Sequence, residues 1–112
     1  MVNKQYQRGR RFEYKVKKLL EDNGFIVLRT SGSHGFADLV ALRDNQVYFM
    51  QLKYGAKISA REYSKMYDIM VDTAVADNIH FMVVHSKPYK SISWMEIITS
   101  DYQEFYSGDW FE

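Results

Sequence analysis

Cysteine is absent from this 112-residue chain. That excludes a disulfide framework and thiolate metal ligation. Proline occurs once, as Pro88. Apart from the short Ser- and Gly-rich loop Ser31–Gly35, the sequence offers no linker, repeat or low-complexity segment, and one domain over residues 1–112 is the simplest organisation. No apolar run approaches the roughly 18–20 residues a membrane span needs. The charged N-terminus lacks the apolar stretch of a signal peptide. A cytoplasmic protein with no membrane partner is expected (host cytoplasm, for a viral protein). Disorder is excluded by what is present: hydrophobic residues make up 46% of the chain and aromatics 16%, enough to build a core.

Net charge is only +1, but it is unevenly placed. Residues 1–18 carry Lys4, Arg8, Arg10, Arg11, Lys15, Lys17 and Lys18 against one acid, Glu13. Residues 101–112 carry Asp101, Glu104, Asp109 and Glu112 with no base. This asymmetry suits a basic surface for polyanions beside an acidic tail, and equally a solvated helix face.

Apolar spacing at Phe12, Val16, Leu19 and Leu20 predicts a first helix over about residues 5–22, stopped at Asn23-Gly24. Strands are predicted at 25–29, 38–42 and 47–53, with Asp44-Asn45 as a hairpin turn. Tyr63, Met66, Tyr67, Met70, Val71, Ala74 and Val75 predict a second helix, opened by the capping box Ser59-x-x-Glu62. Strands at 79–85 and 92–97 follow, and Ser100-x-x-Gln103 reads as the cap of a short last helix. The order α-β-β-β-α-β-β predicts an α/β fold, a central mixed sheet with helices packed on it.

Side chains alternate along a strand, so Gln51 and Lys53 point one way and Met50 and Leu52 the other. If strand 38–42 pairs with 47–53 across the turn, Asp38 lies at the Gln51/Lys53 end. A carboxylate, an amide and an ammonium then meet at one sheet edge. That grouping suits phosphodiester hydrolysis. Mg²⁺ prefers oxygen ligands, which Asp38, the Gln51 amide and the Leu52 main-chain carbonyl can supply. Such a metal polarises the phosphate and acidifies a bound water. Lys53 can stabilise developing charge or orient the water. Glu13 reaches the metal if the first helix packs beside this edge. The same spacing also suits a strand leaving the core with polar residues at its exit.

The stretch Arg8 to Lys53, RGRRFEYKVKKLLEDNGFIVLRTSGSHGFADLVALRDNQVYFMQLK, resembles the archaeal-type Holliday junction resolvases of the PD-(D/E)XK nuclease superfamily. The matching marks are Arg8-Gly9, Glu13, Asn23-Gly24-Phe25, Arg29, Ser31-Gly32-Ser33, Asp38 and Gln51-x-Lys53. The resemblance extends over about residues 6–97 and implies a restriction-endonuclease-like fold. It implies a homodimeric, Mg²⁺-dependent endonuclease, with Mn²⁺ as a substitute, that binds branched or duplex DNA and resolves four-way junctions by paired symmetric cuts. It further implies that Asp38 and position 51 are metal ligands, Lys53 the catalytic lysine and Glu13 the helix-one acid. Ser33 falls at the loop residue near the scissile phosphate, and Arg10, Arg11 and Arg29 fall at DNA contacts. Gln51 stands where the family usually has glutamate. Gln-x-Lys occurs in related branches, the Mrr-type restriction nucleases and the virus-type replication-repair nucleases. A catalytically weak or structure-independent DNA-binding or nuclease module of that kind is the alternative.

Other residues have weaker claims. The loop Ser31–Gly35 suits a phosphate cradle or an ordinary turn, and His34 within it suits a phosphate contact or a plain polar position. Arg8, Lys57 and Arg61 lie where they could touch DNA. His80 and His85, five apart on one strand, should face opposite sides and not share a metal. The Met and Tyr stripe of the second helix predicts core packing or part of a dimer interface. Arg61, Lys65, Asp68 and Asp72 form its solvated face.

Overall fold

The computed structural model describes residues 4–30, 36–73 and 76–112. Helix α1 (Lys4–Asp22) sets Phe12, Val16 and Leu20 one above another along a single face, all buried. Lys17–Glu21 and Lys18–Asp22, also four apart, pair at 2.9 and 3.2 Å. The helix stops at Gly24, whose φ of 89° sends the chain back towards the sheet. The Phe25 N–H then donates to the Leu20 carbonyl at 3.1 Å.

Strand β1 (Ile26–Arg29) leads into the hairpin of β2 (Leu39–Arg43) and β3 (Gln46–Tyr54). Asp44 and Asn45 close it at φ 54° and 64°, the paired left-handed conformation that matches the sheet's twist. Helix α2 (Ala60–Thr73) then crosses to β4 (Ile79–Ser86), followed by β5 (Ser93–Ile97) and β6 (Gln103–Tyr106). The sheet order is β1-β2-β3-β4-β5-β6. Only β3 and β4 run parallel, because α2 returns the chain to the starting edge.

The two sheet faces are buried separately. Towards α1 lie Val27, Leu39, Ala41, Met50, Met82, Val84 and Trp94, joined by Phe111 from the C-terminus. Towards α2 lie Val83 and Ile97 with Met66, surrounded by Phe36, Tyr63, Tyr67 and Met70. Val71, on the predicted stripe, is exposed, and residues 74 and 75 lie outside the described residues. Arg61, Lys65, Asp68 and Asp72 are exposed, as their spacing predicts.

One prediction fails. Residues 103–106 form β6, not a helix. The Ile98 and Thr99 N–H groups donate to the Tyr102 carbonyl at 3.1 and 3.0 Å. This turn folds the segment back onto β5, with Tyr106 opposite Trp94. A four-residue aromatic segment gains more from an open sheet edge than from a cap with no helix length behind it. The acidic, aromatic tail is also part of the core. Trp110 lies 5.7 Å from Phe25, 5.2 Å from Tyr48 and 5.5 Å from Trp94, ring centre to ring centre. Arg43 donates to the carbonyls of Phe111 and Asn23 and lies 4.2 Å over the Phe25 ring, tying the tail to the exit of α1.

Candidate active site

The hairpin register puts Leu39 opposite Met50, so Asp38 sits beside Gln51 at the open end of the β2–β3 pair. Its backbone is pinned on both sides. The Asp38 N–H donates to the Met50 carbonyl at 2.8 Å, and its carbonyl accepts from the Thr30 N–H at 3.1 Å. The carboxylate accepts from the Leu52 N–H at 2.9 Å. It lines a concavity of about 260 Å³ with Glu13, Arg10, Arg29 and Leu52. Burial raises the Asp38 pKa, and the nearby Glu13 and Glu62 charges raise it further, against the Leu52 N–H and Lys53. Glu13 is paired with the Arg29 guanidinium, which raises the arginine's pKa. Two carboxylates therefore share one pocket, where Glu13 is paired with Arg29. Asp38, Glu13 and the Leu52 main chain are hard oxygen donors of the kind Mg²⁺ takes. Among the described residues, no three acidic, histidine or cysteine side chains form a ready-made metal cluster.

Gln51 and Lys53 do not line that concavity. Strand alternation turns them to the α2 face, while Leu52 and Tyr54 face α1. Lys53 is paired there with Glu62 of α2. Glu62 is itself held by the predicted capping box. Its other oxygen accepts from the Ser59 N–H at 3.2 Å and hydroxyl at 3.0 Å, while its N–H donates to the Ser59 hydroxyl at 3.1 Å. The Lys53 ammonium, ahead of these bonds, lowers the Glu62 pKa. Asp38 stands between the two groups, sensing Glu13 from one side and Lys53 and Glu62 from the other.

The basic residues divide in the same way. Arg10 donates to the Tyr14 hydroxyl at 3.2 Å and lies 5.6 Å from that ring's centre, with Arg29 at 5.1 Å. Tyr14 thus holds both arginines at the pocket rim, and Arg10 lowers its pKa. Arg8 and Arg11 line a second concavity, of about 380 Å³, with Lys15, Lys87 and Lys90. Phe12 and Tyr54 line both concavities, so the two adjoin. Arg61 is exposed on α2. Lys57 is exposed beside a separate, more apolar concavity lined by Val83, His85, Met95 and Phe105.

Ser31, Ser33 and His34 lie outside the described residues. The other histidines face opposite ways, as their spacing requires. His80 bridges Glu96 at 2.8 Å and Gln46 at 2.7 Å, whereas His85 lies in the apolar concavity, where burial and then Lys87 and Lys57 lower its pKa. Sequence reasoning missed Tyr14, Lys87, Lys90 and the second partner of Glu62. Tyr14 was within reach, since it follows Arg10 by four residues on a helix. The two lysines were not, because only the fold brings them to α1.

The archaeal Holliday junction resolvase (Hjc) family matches residues 4–75. The crossover junction endodeoxyribonuclease Hjc of Methanocaldococcus jannaschii is 42% identical over 52 residues, covering 46% of this chain and 38% of that protein. The crossover junction endodeoxyribonuclease of Sulfolobus islandicus rod-shaped virus 1 is 36% identical over 55 residues, covering 46% of each. The chain thus spans less than half the length of these two relatives. The solved structure of Archaeoglobus fulgidus Hjc, a Holliday junction resolvase, matches with a TM-score of 0.61 at 18% identity, over 90% of this chain and 86% of that one. That likeness establishes the shared fold. With the family match running from α1 through α2, the chain belongs to the archaeal Holliday junction resolvase family.

Proposed function

We propose that this chain is a divalent-metal-dependent endonuclease that hydrolyses DNA phosphodiester bonds and resolves four-way junctions by paired symmetric cuts. The observation that carries the reading is the concavity where Asp38 and Glu13 lie together beneath Arg10 and Arg29. It sets hard anionic donors beside cations that can hold a phosphate. Junctions are the favoured substrate because the relatives' names specify them.

Asp38 and Glu13 would hold the metal, with the Leu52 carbonyl and the Gln51 amide as neutral donors. Mg²⁺, with Mn²⁺ as substitute, suits an all-oxygen set. Such an ion, if bound there, would supply Lewis-acid polarisation of the phosphate and a more acidic water. The chain's own groups do the rest. Asp38 is fixed by three main-chain hydrogen bonds, so its carboxylate is presented without reorganisation. Lys53, restrained by Glu62, supplies positive charge to the phosphorane or orients the attacking water. Arg10 and Arg29 take non-bridging phosphate oxygens, Ser33 acts at the scissile phosphate, and Ser31 and His34 contact DNA. Arg8, Arg11, Lys57 and Arg61 contact the DNA backbone. A junction has two-fold symmetry, so two cuts need two copies of the chain.

The test is an end-labelled four-way junction and a linear duplex of the same arms, incubated with Mg²⁺, with and without EDTA. Paired symmetric cuts are expected in the junction alone, lost with EDTA and in Asp38→Ala. Equal cutting of both substrates would instead identify a structure-independent nuclease. Binding without cutting would identify a catalytically weak DNA-binding module, the reading that a neutral Gln51 favours.

A further inference from the structure

The basic concavity beside the site contains a feature that phosphate binding does not use. One of its walls is the β4–β5 turn, Lys87-Pro88-Tyr89-Lys90. The turn is tied at its base. The Lys90 N–H donates to the Lys87 carbonyl at 3.1 Å, and the buried Ser86 hydroxyl lies 3.1 Å from the carbonyls of both Lys87 and Lys90. Pro88 fixes its own φ and stiffens the entry. Tyr89 then takes φ 62°, a left-handed conformation uncommon for a bulky side chain. Its ring is fully exposed, at 105% of the reference area. Strained, non-glycine backbone that presents a bare aromatic ring is the kind of outlier from which a functional hypothesis can start. Around it, Lys87 and Lys90 face Arg8, Arg11 and Lys15 of α1, and among the described residues no acidic one lines the concavity.

We propose that this turn reads the branch point of the DNA. This rests on the DNA-cleaving reading above. The five cations hold phosphates of one arm, and Tyr89 stacks on a base face left open where strands exchange. The reasoning is geometric. In continuous duplex every base is covered by its neighbours, so an inserted ring has no face to meet. At a branch or in a single strand a face is available, and stacking on it tolerates any sequence. The cations therefore strengthen binding to all DNA, whereas Tyr89 strengthens binding to branched and single-stranded DNA and not to duplex. The turn adjoins the candidate active site through Phe12 and Tyr54, so a branch held here lies beside the pocket of Asp38 and Glu13.

The experiment measures affinity of the whole chain, in EDTA, for a four-way junction, a linear duplex and a single strand. Tyr89→Ala should weaken junction binding on the order of 10- to 100-fold, as loss of one stacked base does. Duplex binding should stay unchanged. Tyr89→Phe should behave as wild type, because the ring and not the hydroxyl is used. Tyr89→Gly should also lose junction preference while melting no lower than wild type, which separates binding from folding. Lys87→Ala/Lys90→Ala should weaken junction and duplex alike and flatten the salt dependence of both. A 2-aminopurine at the branch should change fluorescence with wild type and not with Tyr89→Ala. Equal loss on junction and duplex in Tyr89→Ala, no loss on either, or loss in Tyr89→Phe would overturn the proposal. Failure of the nuclease reading looks different: wild type would distinguish junction from duplex yet leave both uncut in Mg²⁺.

Discussion

At the scale of single residues, burial and the Glu13 charge raise the Asp38 pKa, against the opposing Leu52 N–H and Lys53. A raised native pKa has a defined consequence for stability. Below the ordinary carboxylate range both native and unfolded chains are protonated there, and the group is neutral in the balance. As pH rises from that range towards the raised native value, the unfolded chain ionises first and stability falls; the deficit persists at higher pH. Asp38→Asn removes that charge and keeps an oxygen that can accept from Leu52. Metal-free Asp38→Asn should therefore melt at or above wild type at pH 7–8, with the gap closing as pH falls, and it should not cleave. A variant melting well below wild type at neutral pH would show that the carboxylate stabilises the fold instead. Gln51 carries the second residue-level prediction. Gln51→Glu adds a carboxylate beside Asp38, so it should lower the Mg²⁺ concentration needed for half-maximal cleavage. Gln51→Ala should raise it. Identical Mg²⁺ titrations for Gln51→Ala and wild type would remove Gln51 from the ligand set.

At the scale of elements, the N-terminus of α2 has two tasks in one residue. Glu62 closes the capping box with Ser59 and also holds Lys53 of β3. Glutamine can replace glutamate in a capping box but carries no charge for the lysine. Glu62→Gln should therefore keep the melting temperature near wild type while lowering kcat, with little change in DNA affinity. Ser59→Ala should do the opposite, costing about 1 kcal/mol of stability with kcat largely retained. Equal kcat in Glu62→Gln and wild type would reduce the Lys53 contact to a surface pair. The elements also show what the sequence makes legible. The capping box, the Asp44-Asn45 hairpin and the α1 stripe are local signals, and the structure has each of them. The hairpin alone already implied that Asp38 meets Gln51, because a two-residue turn fixes the register. The second partner of Glu62 was hidden, since a local motif says nothing of what lies across the fold. Strand β6 was misread as a helix because its stabilising partner, β5, is a tertiary neighbour. The basic concavity was half legible: Arg8, Arg11 and Lys15 are in α1, but Lys87 and Lys90 come from the β4–β5 turn.

At the scale of the whole molecule, no helix among the described residues is long and apolar enough to cross a membrane. On edge strand β1, Val27 is buried towards α1, which turns Ile26 and Leu28 to the other face. There they are 64% and 54% exposed. Their cross-strand partners, Leu42 and Val40, extend the patch onto β2. The patch begins one residue before Arg29, at the rim of the candidate active site. A two-fold contact through it would bury four apolar residues per copy and bring two sites to one side of the assembly, as paired cuts require. Wild type should therefore show a dimer mass in light scattering at micromolar concentration. Ile26→Asp/Leu28→Asp should shift it to monomer. Both side chains are already wet in the single chain, so the melting transition of the monomer should survive. The double variant should still bind DNA through its basic surface, yet release nicked junctions in place of paired products. A wild-type monomer, or a double variant that stays dimeric, would show that β1 is not the contact and that the patch needs another partner.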